Sequence, residues 1–113
     1  MTIVRDRISL ADLNVMAEAQ FGDLVKAVVD VERGVMAIGG ELHADEEAML
    51  LEDGSKQQYL WGINLYPAVV DESWIEFDSM INIRPSQGNR SRSVDDAETR
   101  RVIVTLVGRL VAR

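Results

Sequence analysis

The segment from Val25 to Gly39, VKAVVDVERGVMAIG, constrains the fold more than any other. It is dominated by β-branched residues and interrupted once, at Arg33-Gly34. β-Branched side chains favour extended backbone, and an Arg-Gly step between two such runs reads as a hairpin turn. Taken as a two-residue turn, it sets Glu32 against Val35, Asp30 against Ala37 and Val28 against Gly39. Side chains alternate across a strand, so one face carries Val25, Ala27, Val29, Val31, Met36 and Ile38 and is core. The other carries Lys26, Val28, Asp30, Glu32, Val35, Ala37 and Gly39, and is mixed, small and acidic.

Two more stretches alternate. Tyr59 to Tyr66, YLWGINLY, places Tyr59, Trp61, Ile63 and Leu65 on one face, with Leu60, Gly62, Asn64 and Tyr66 on the other. Trp74 to Arg84 reads as the fourth and longest strand. Ile75, Phe77, Ser79, Ile81 and Ile83 face the core, and Trp74, Glu76, Asp78, Met80, Asn82 and Arg84 face away. Three segments have helical spacing. Ser9 is an N-cap with Asp12 behind it, followed by Leu10, Leu13, Met16, Ala17 and Phe21 up to Gly22. Asp45, Glu46 and Glu47 precede Ala48, Met49, Leu50 and Leu51, with Gly54 as the stop, and acids in a first turn complement the helix dipole. Asp95 and Asp96 open a last segment through Val102, Ile103, Leu106, Val107 and Leu110. Its VIVTLV run suits a strand as well, but the acids at its start and Arg109 and Arg113 at its end favour helix. Ile3 to Ile8 is an edge strand or an extended lead-in.

The order α-β-β-α-β-β-α predicts an α+β fold: two layers, a four-stranded mainly antiparallel sheet and helices on one face. A length of 113 residues suits a single α+β domain over residues 1–113. The absence of cysteine excludes disulfides, thiolate metal sites and a cysteine nucleophile. A net charge of -7 argues against nucleic acid and anionic membranes as partners. No apolar run is long enough to span a bilayer, and the first residues lack a secretory pattern, so the expected location is cytoplasmic.

The phrases VKAVVDVERGVMAIGGELHADEE, LWGINLYP and WIEFDSMINIRPSQGNRSR resemble those of a family of small prokaryotic proteins of unknown function. The resemblance covers nearly the whole chain and implies a stand-alone domain. It brings no activity, cofactor or catalytic residue with it.

A candidate site must therefore come from the residues. Strand four aligns Glu76, Asp78, Asn82 and Arg84, and Asn64 with Tyr66 joins them if strands three and four pair. Carboxylates two apart on a strand can hold a divalent ion or act as acid and base, and an arginine beside them can orient an anion. The loop that follows supplies Gln87, Gly88, Asn89, Arg90 and Arg92, donors around a permissive glycine and the one basic concentration between acidic flanks. The structural alternative is that these arginines pair with the chain's surplus acids. A second candidate is Glu41, His43 and Asp45 with Glu46 and Glu47, as metal ligands or as a histidine base oriented by a carboxylate. Its alternative is a histidine at a helix start followed by dipole-matched acids. No G-x-S-x-G elbow occurs, and the acids after Gly39-Gly40 would repel a phosphate.

The expectation is a protein that binds an anionic, phosphate-bearing small molecule. Glu76, Asp78 and His43 are the catalytic candidates, and Arg84, Gln87, Gly88, Asn89, Arg90, Arg92 and Asn64 bind the ligand. Whether it is an enzyme, and which cofactor or metal it uses, stay open. The competing reading is a non-catalytic homodimer whose contact is the mixed face with Trp74, Met80, Val28 and Val35.

Overall fold

The structure is a computed structural model describing residues 1–113. In chain order it contains β1 (Thr2–Val4), β2 (Ile8–Ser9), α1 (Leu10–Ala19), β3 (Val25–Asp30), β4 (Val35–Ile38), α2 (His43–Glu52), β5 (Leu60–Leu65), β6 (Ile75–Glu76), α3 (Ala97–Leu110) and β7 (Val111–Ala112). Single 3-10 turns occur at Gln57–Tyr59, Glu72–Trp74, Met80–Asn82 and Pro85–Gln87. An antiparallel sheet runs in the order β1-β4-β3-β5-β6, and β2 pairs in parallel with β7 apart from it. The class is α+β, as expected.

The β3–β4 hairpin shows how local chemistry sets register. Asp30 Oδ1 accepts from the backbone N–H groups of Glu32 and Arg33, both at 2.9 Å, and its carbonyl accepts from Gly34 N–H. Gly34 takes φ +69°, which a side chain would disfavour. The loop is therefore Val31 to Gly34, and Asp30 faces Val35 while Val28 faces Ala37. This register is two residues away from a two-residue turn. A shift of two preserves the side-chain period, so the division into two faces holds.

On the first face, Val25, Ala27, Val29, Met36, Ile38, Trp61, Ile63 and Leu65 pack against Leu13 and Ala17 of α1 and Ile103, Leu106, Val107 and Leu110 of α3. Ser9 caps α1, its Oγ accepting from Asp12 N–H at 3.0 Å, and Asp96 caps α3 by accepting from Thr99 N–H. Phe21 lies beyond α1 and is exposed.

Three features depart from the expected layering. The sheet has a fifth strand, since the start of the chain pairs as β1 with β4. The helices occupy both faces: Leu50 and Met49 of α2 pack on Val28, Val35, Ala37 and Leu60 on the second face. Small residues at Ala37 and Gly40 permit that approach; a Cβ on Gly40 would lie 2.8 Å from Glu46 Cγ. The mixed face is consequently covered by the chain's own helix. Of the residues expected at a dimer contact, Val28, Val35 and Trp74 are buried and Met80 is exposed.

The third departure is the fourth strand, which pairs only at Ile75 and Glu76, opposite Leu65 and Asn64. Trp74 precedes it in a 3-10 turn capped by Asp71, so the alternation starts one residue later; Trp74 packs in the first-face core with the Arg113 guanidinium 4.5 Å from its ring centroid. Beyond Glu76 the backbone leaves the ladder, and Ser79 packs against Gly62, where a Cβ would meet Ser79 Cβ at 2.5 Å. Side chains then complete the edge of β5. Asn82 Oδ1 accepts from Gly62 N–H at 2.8 Å and its Nδ2 donates to Gly62 O at 2.9 Å, while Arg84 Nη2 donates to Leu60 O at 2.6 Å. An unpaired strand edge would leave these groups open to mispairing. Asn82, expected to face away, is fully buried for this reason.

Candidate functional site

Four sequence candidates and His43 meet on the second face, at the β5–β6 end of the sheet. Asn64 lies opposite Glu76 on β6 and Lys26 on β3. Its Nδ2 donates to Glu76 Oε1 at 2.9 Å and to the Asp78 carbonyl at 3.3 Å; Tyr66 Oη donates to the same Glu76 oxygen at 3.2 Å. Burial first, and then the Glu76 charge, push the Tyr66 phenol up. Asp78 forms an ion pair with Arg92 through Nε, at the open margin of the face. Asn64 Oδ1 is buried and has no hydrogen-bond partner.

His43 is the first residue of α2 and is turned inward, its Nε2 2.8 Å from the Ile63 carbonyl. A carbonyl only accepts, so Nε2 carries the proton and Nδ1 is the basic nitrogen. Burial pushes the imidazole below its ordinary range. The Ile63 bond, the nearby Asn64 side chain and Asp78 act against this, and Lys26 acts with it. One turn further on, Glu46 is fully buried. Oε2 accepts from Gly40 N–H at 3.0 Å, Oε1 has no partner, and burial pushes the carboxyl up to about 9. Burial thus works against the charged form of both the imidazole and the carboxyl. Groups driven apart in this way are those suited to proton transfer.

The loop residues are placed differently. Arg84 donates Nη1 to Gln57 O and Nη2 to Leu60 O, with its guanidinium 4.1 Å from the Trp61 ring centroid. Burial pushes its pKa down, with Glu47 the charge opposing that. Asn89 is buried and organises the loop, donating to the Asn82, Ser91 and Ser93 carbonyls and accepting from Asp95 N–H. Gln87 donates to Gln58 O, and Gly88 adopts φ +81° at the end of its turn. Gln87, Gly88 and Asn89 border a separate cleft of about 510 Å3 with Trp61, Asp95 and Asp96. The Arg90 side chain is exposed, while its backbone N–H donates to Asp95 Oδ2 at 3.0 Å.

His43, Asn64, Glu76, Asp78 and Arg92 are therefore brought together, whereas Arg84, Gln87, Gly88, Asn89 and Arg90 stand elsewhere. Glu41 and Asp45 are exposed and do not join His43. No three His, Asp or Glu side chains converge as metal ligands. Lys26 enters the site without a sequence motif, through β3–β5 pairing, whereas Glu46, one of the acids grouped with His43 in the sequence, follows it by three residues on α2.

The fold and site define a compact α+β protein whose antiparallel sheet carries a polar, titratable cluster under an inward-facing helix start. The family model described as a protein of unknown function (DUF5674) matches residues 2–110, and the chain belongs to that family. No curated protein and no solved structure matches it. No helix is long and apolar enough to cross a membrane.

Proposed function

We propose that the chain binds a small molecule carrying hydroxyl groups and an anionic group on the β5–β6 face, with His43 and Glu76 as the proton-handling residues. The observation that carries this reading is the buried, unpartnered Asn64 Oδ1 beside His43 and above the Glu76–Tyr66 pair. A buried acceptor without a donor costs about 1–3 kcal/mol, which a ligand hydroxyl would recover. The anionic group lies toward Arg92. Asp78 engages only Nε, leaving both terminal nitrogens of the guanidinium as a fork for an oxyanion. His43 Nδ1, on a ring whose charged form burial disfavours, would accept a proton from the bound hydroxyl, and Asp78 would stabilise the imidazolium formed.

The test is a thermal-shift screen of phosphorylated sugars and hydroxy acids against wild type, Arg92→Gln and Asn64→Leu. A ligand of the folded state raises the melting temperature. The expected result is a shift for compounds bearing both groups that shrinks in each variant. Shifts unaffected by either substitution, or none across the panel, would sink the reading.

A further inference from the structure

We propose that the cleft between the β3–β4 turn and the C-terminal half of α3 is a second binding site, for a phosphoryl anion held between Arg7 and Arg109. Two adjoining cavities of about 500 and 410 Å3 meet there, sharing Arg33, Gly34 and Arg109. Arg101 lines the larger, Arg5 and Arg7 the smaller. Five arginines thus border one region of a chain whose net charge is -7, against the three acids Asp6, Glu32 and Glu98.

Three of those cations are paired internally and two are not. Asp53 is shared by Arg5 and Arg33, each at 2.7 Å, and Glu98 pairs with Arg101. Arg7 and Arg109 make no ion pair. Arg7 Nε donates to the Arg109 carbonyl at 3.4 Å and Arg109 Nη2 to the Gly34 carbonyl at 3.5 Å, both at the long limit for such bonds. The dipole of α3 accounts for a cation at position 109. Arg7 meets the same helix end from 102 residues away, so the dipole draws two guanidinium groups to one place.

Gly34 makes the arrangement possible. A Cβ there would lie 2.5 Å from Arg109 Nη2, so a side chain at this position would displace the guanidinium from its place over the turn. A guanidinium presents its N–H groups as a planar fork matched to phosphoryl oxygens, and two forks bordering one gap suit a doubly charged group. The cleft is distinct from the β5–β6 face. Lys26 lies near the start of β3 and the turn follows its end, about 16 Å away at ~3.3 Å per residue.

The test titrates pyrophosphate and inorganic phosphate calorimetrically into the full chain, at low and at physiological ionic strength. Wild type is expected to bind pyrophosphate saturably, more weakly as salt rises. Arg7→Gln and Arg109→Gln should each lower affinity about tenfold or more, a loss of about 1.4 kcal/mol. Arg109→Lys, which keeps the charge and loses the fork, should bind several-fold more weakly. Absence of saturable binding overturns the proposal, as does wild-type affinity in Arg109→Lys or in a folded Arg7→Gln/Arg109→Gln double variant. Binding weakened by Arg92→Gln alone would move the anion to the β5–β6 face and overturn this site while supporting the other.

Discussion

Replacing Glu46 by glutamine should remove a large pH dependence from the stability of this protein. In the folded chain, burial pushes the Glu46 carboxyl from 4.5 up to about 9. Between those values the folded state holds a proton that the unfolded state has released. The stability it contributes is fully present below about pH 4.5 and falls as pH rises toward about 9, by about 1.4 kcal/mol per unit. Across about three pH units, from mildly acid to mildly alkaline, the loss is about 4 kcal/mol. That is a substantial part of the roughly 5–15 kcal/mol that holds a typical domain together. Glutamine has nearly the shape of the protonated acid and does not titrate. Urea unfolding of wild type and Glu46→Gln across this range should show curves that diverge with pH, the variant becoming the more stable by about 4 kcal/mol relative to its standing in acid. Curves that run parallel would refute the assignment of a buried, protonated Glu46.

Three further outcomes follow from the same geometry. Asn82→Ala leaves the Gly62 N–H and carbonyl buried without partners and should cost about 2–4 kcal/mol in urea unfolding, whereas a loss near zero would contradict side-chain completion of the β5 edge. Gly62→Ala drives a methyl into Ser79 and should cost about 1–3 kcal/mol, most of it recovered in a Gly62→Ala/Ser79→Gly double variant. His43 should titrate below 6.5 when its ring protons are followed by NMR. Its folded pKa lies below the unfolded one, so the stability it contributes is present above about pH 6.5 and is lost as pH falls through the folded value.

Much of the architecture was legible because it depends on period and capping. The faces of β3, β4 and β5 follow from alternation, which survives the two-residue shift at the Asp30 turn. The caps at Ser9 and Asp96 follow from side-chain chemistry close in sequence. Charge placement, acids at the start and Arg109 near the end, correctly favoured helix for the β-branched VIVTLV run.

What was not legible depends on contacts between distant residues. Alternation continues past Glu76 in the sequence, yet the ladder stops there. The Gly62–Ser79 contact and the Asn82 and Arg84 side chains take over the edge, and no local pattern announces that. The second face reads in the sequence as mixed, small and acidic, and the same smallness lets α2 cover it. In the polar cluster, Glu76 and Asp78 are near one another in sequence, and Asn64 follows from hairpin pairing. His43 was legible as a titratable residue. Its position beside Asn64 came only from α2 packing on that face.

The most direct test of a ligand site on the β5–β6 face is chemical-shift mapping of the isotopically labelled chain during titration with phosphorylated hydroxy compounds. The predicted result is saturable perturbation centred on Lys26, His43, Asn64, Glu76, Asp78 and Arg92, with the His43 ring signals among the largest. Perturbation confined to other surfaces, or none at all with the fold intact, would contradict it.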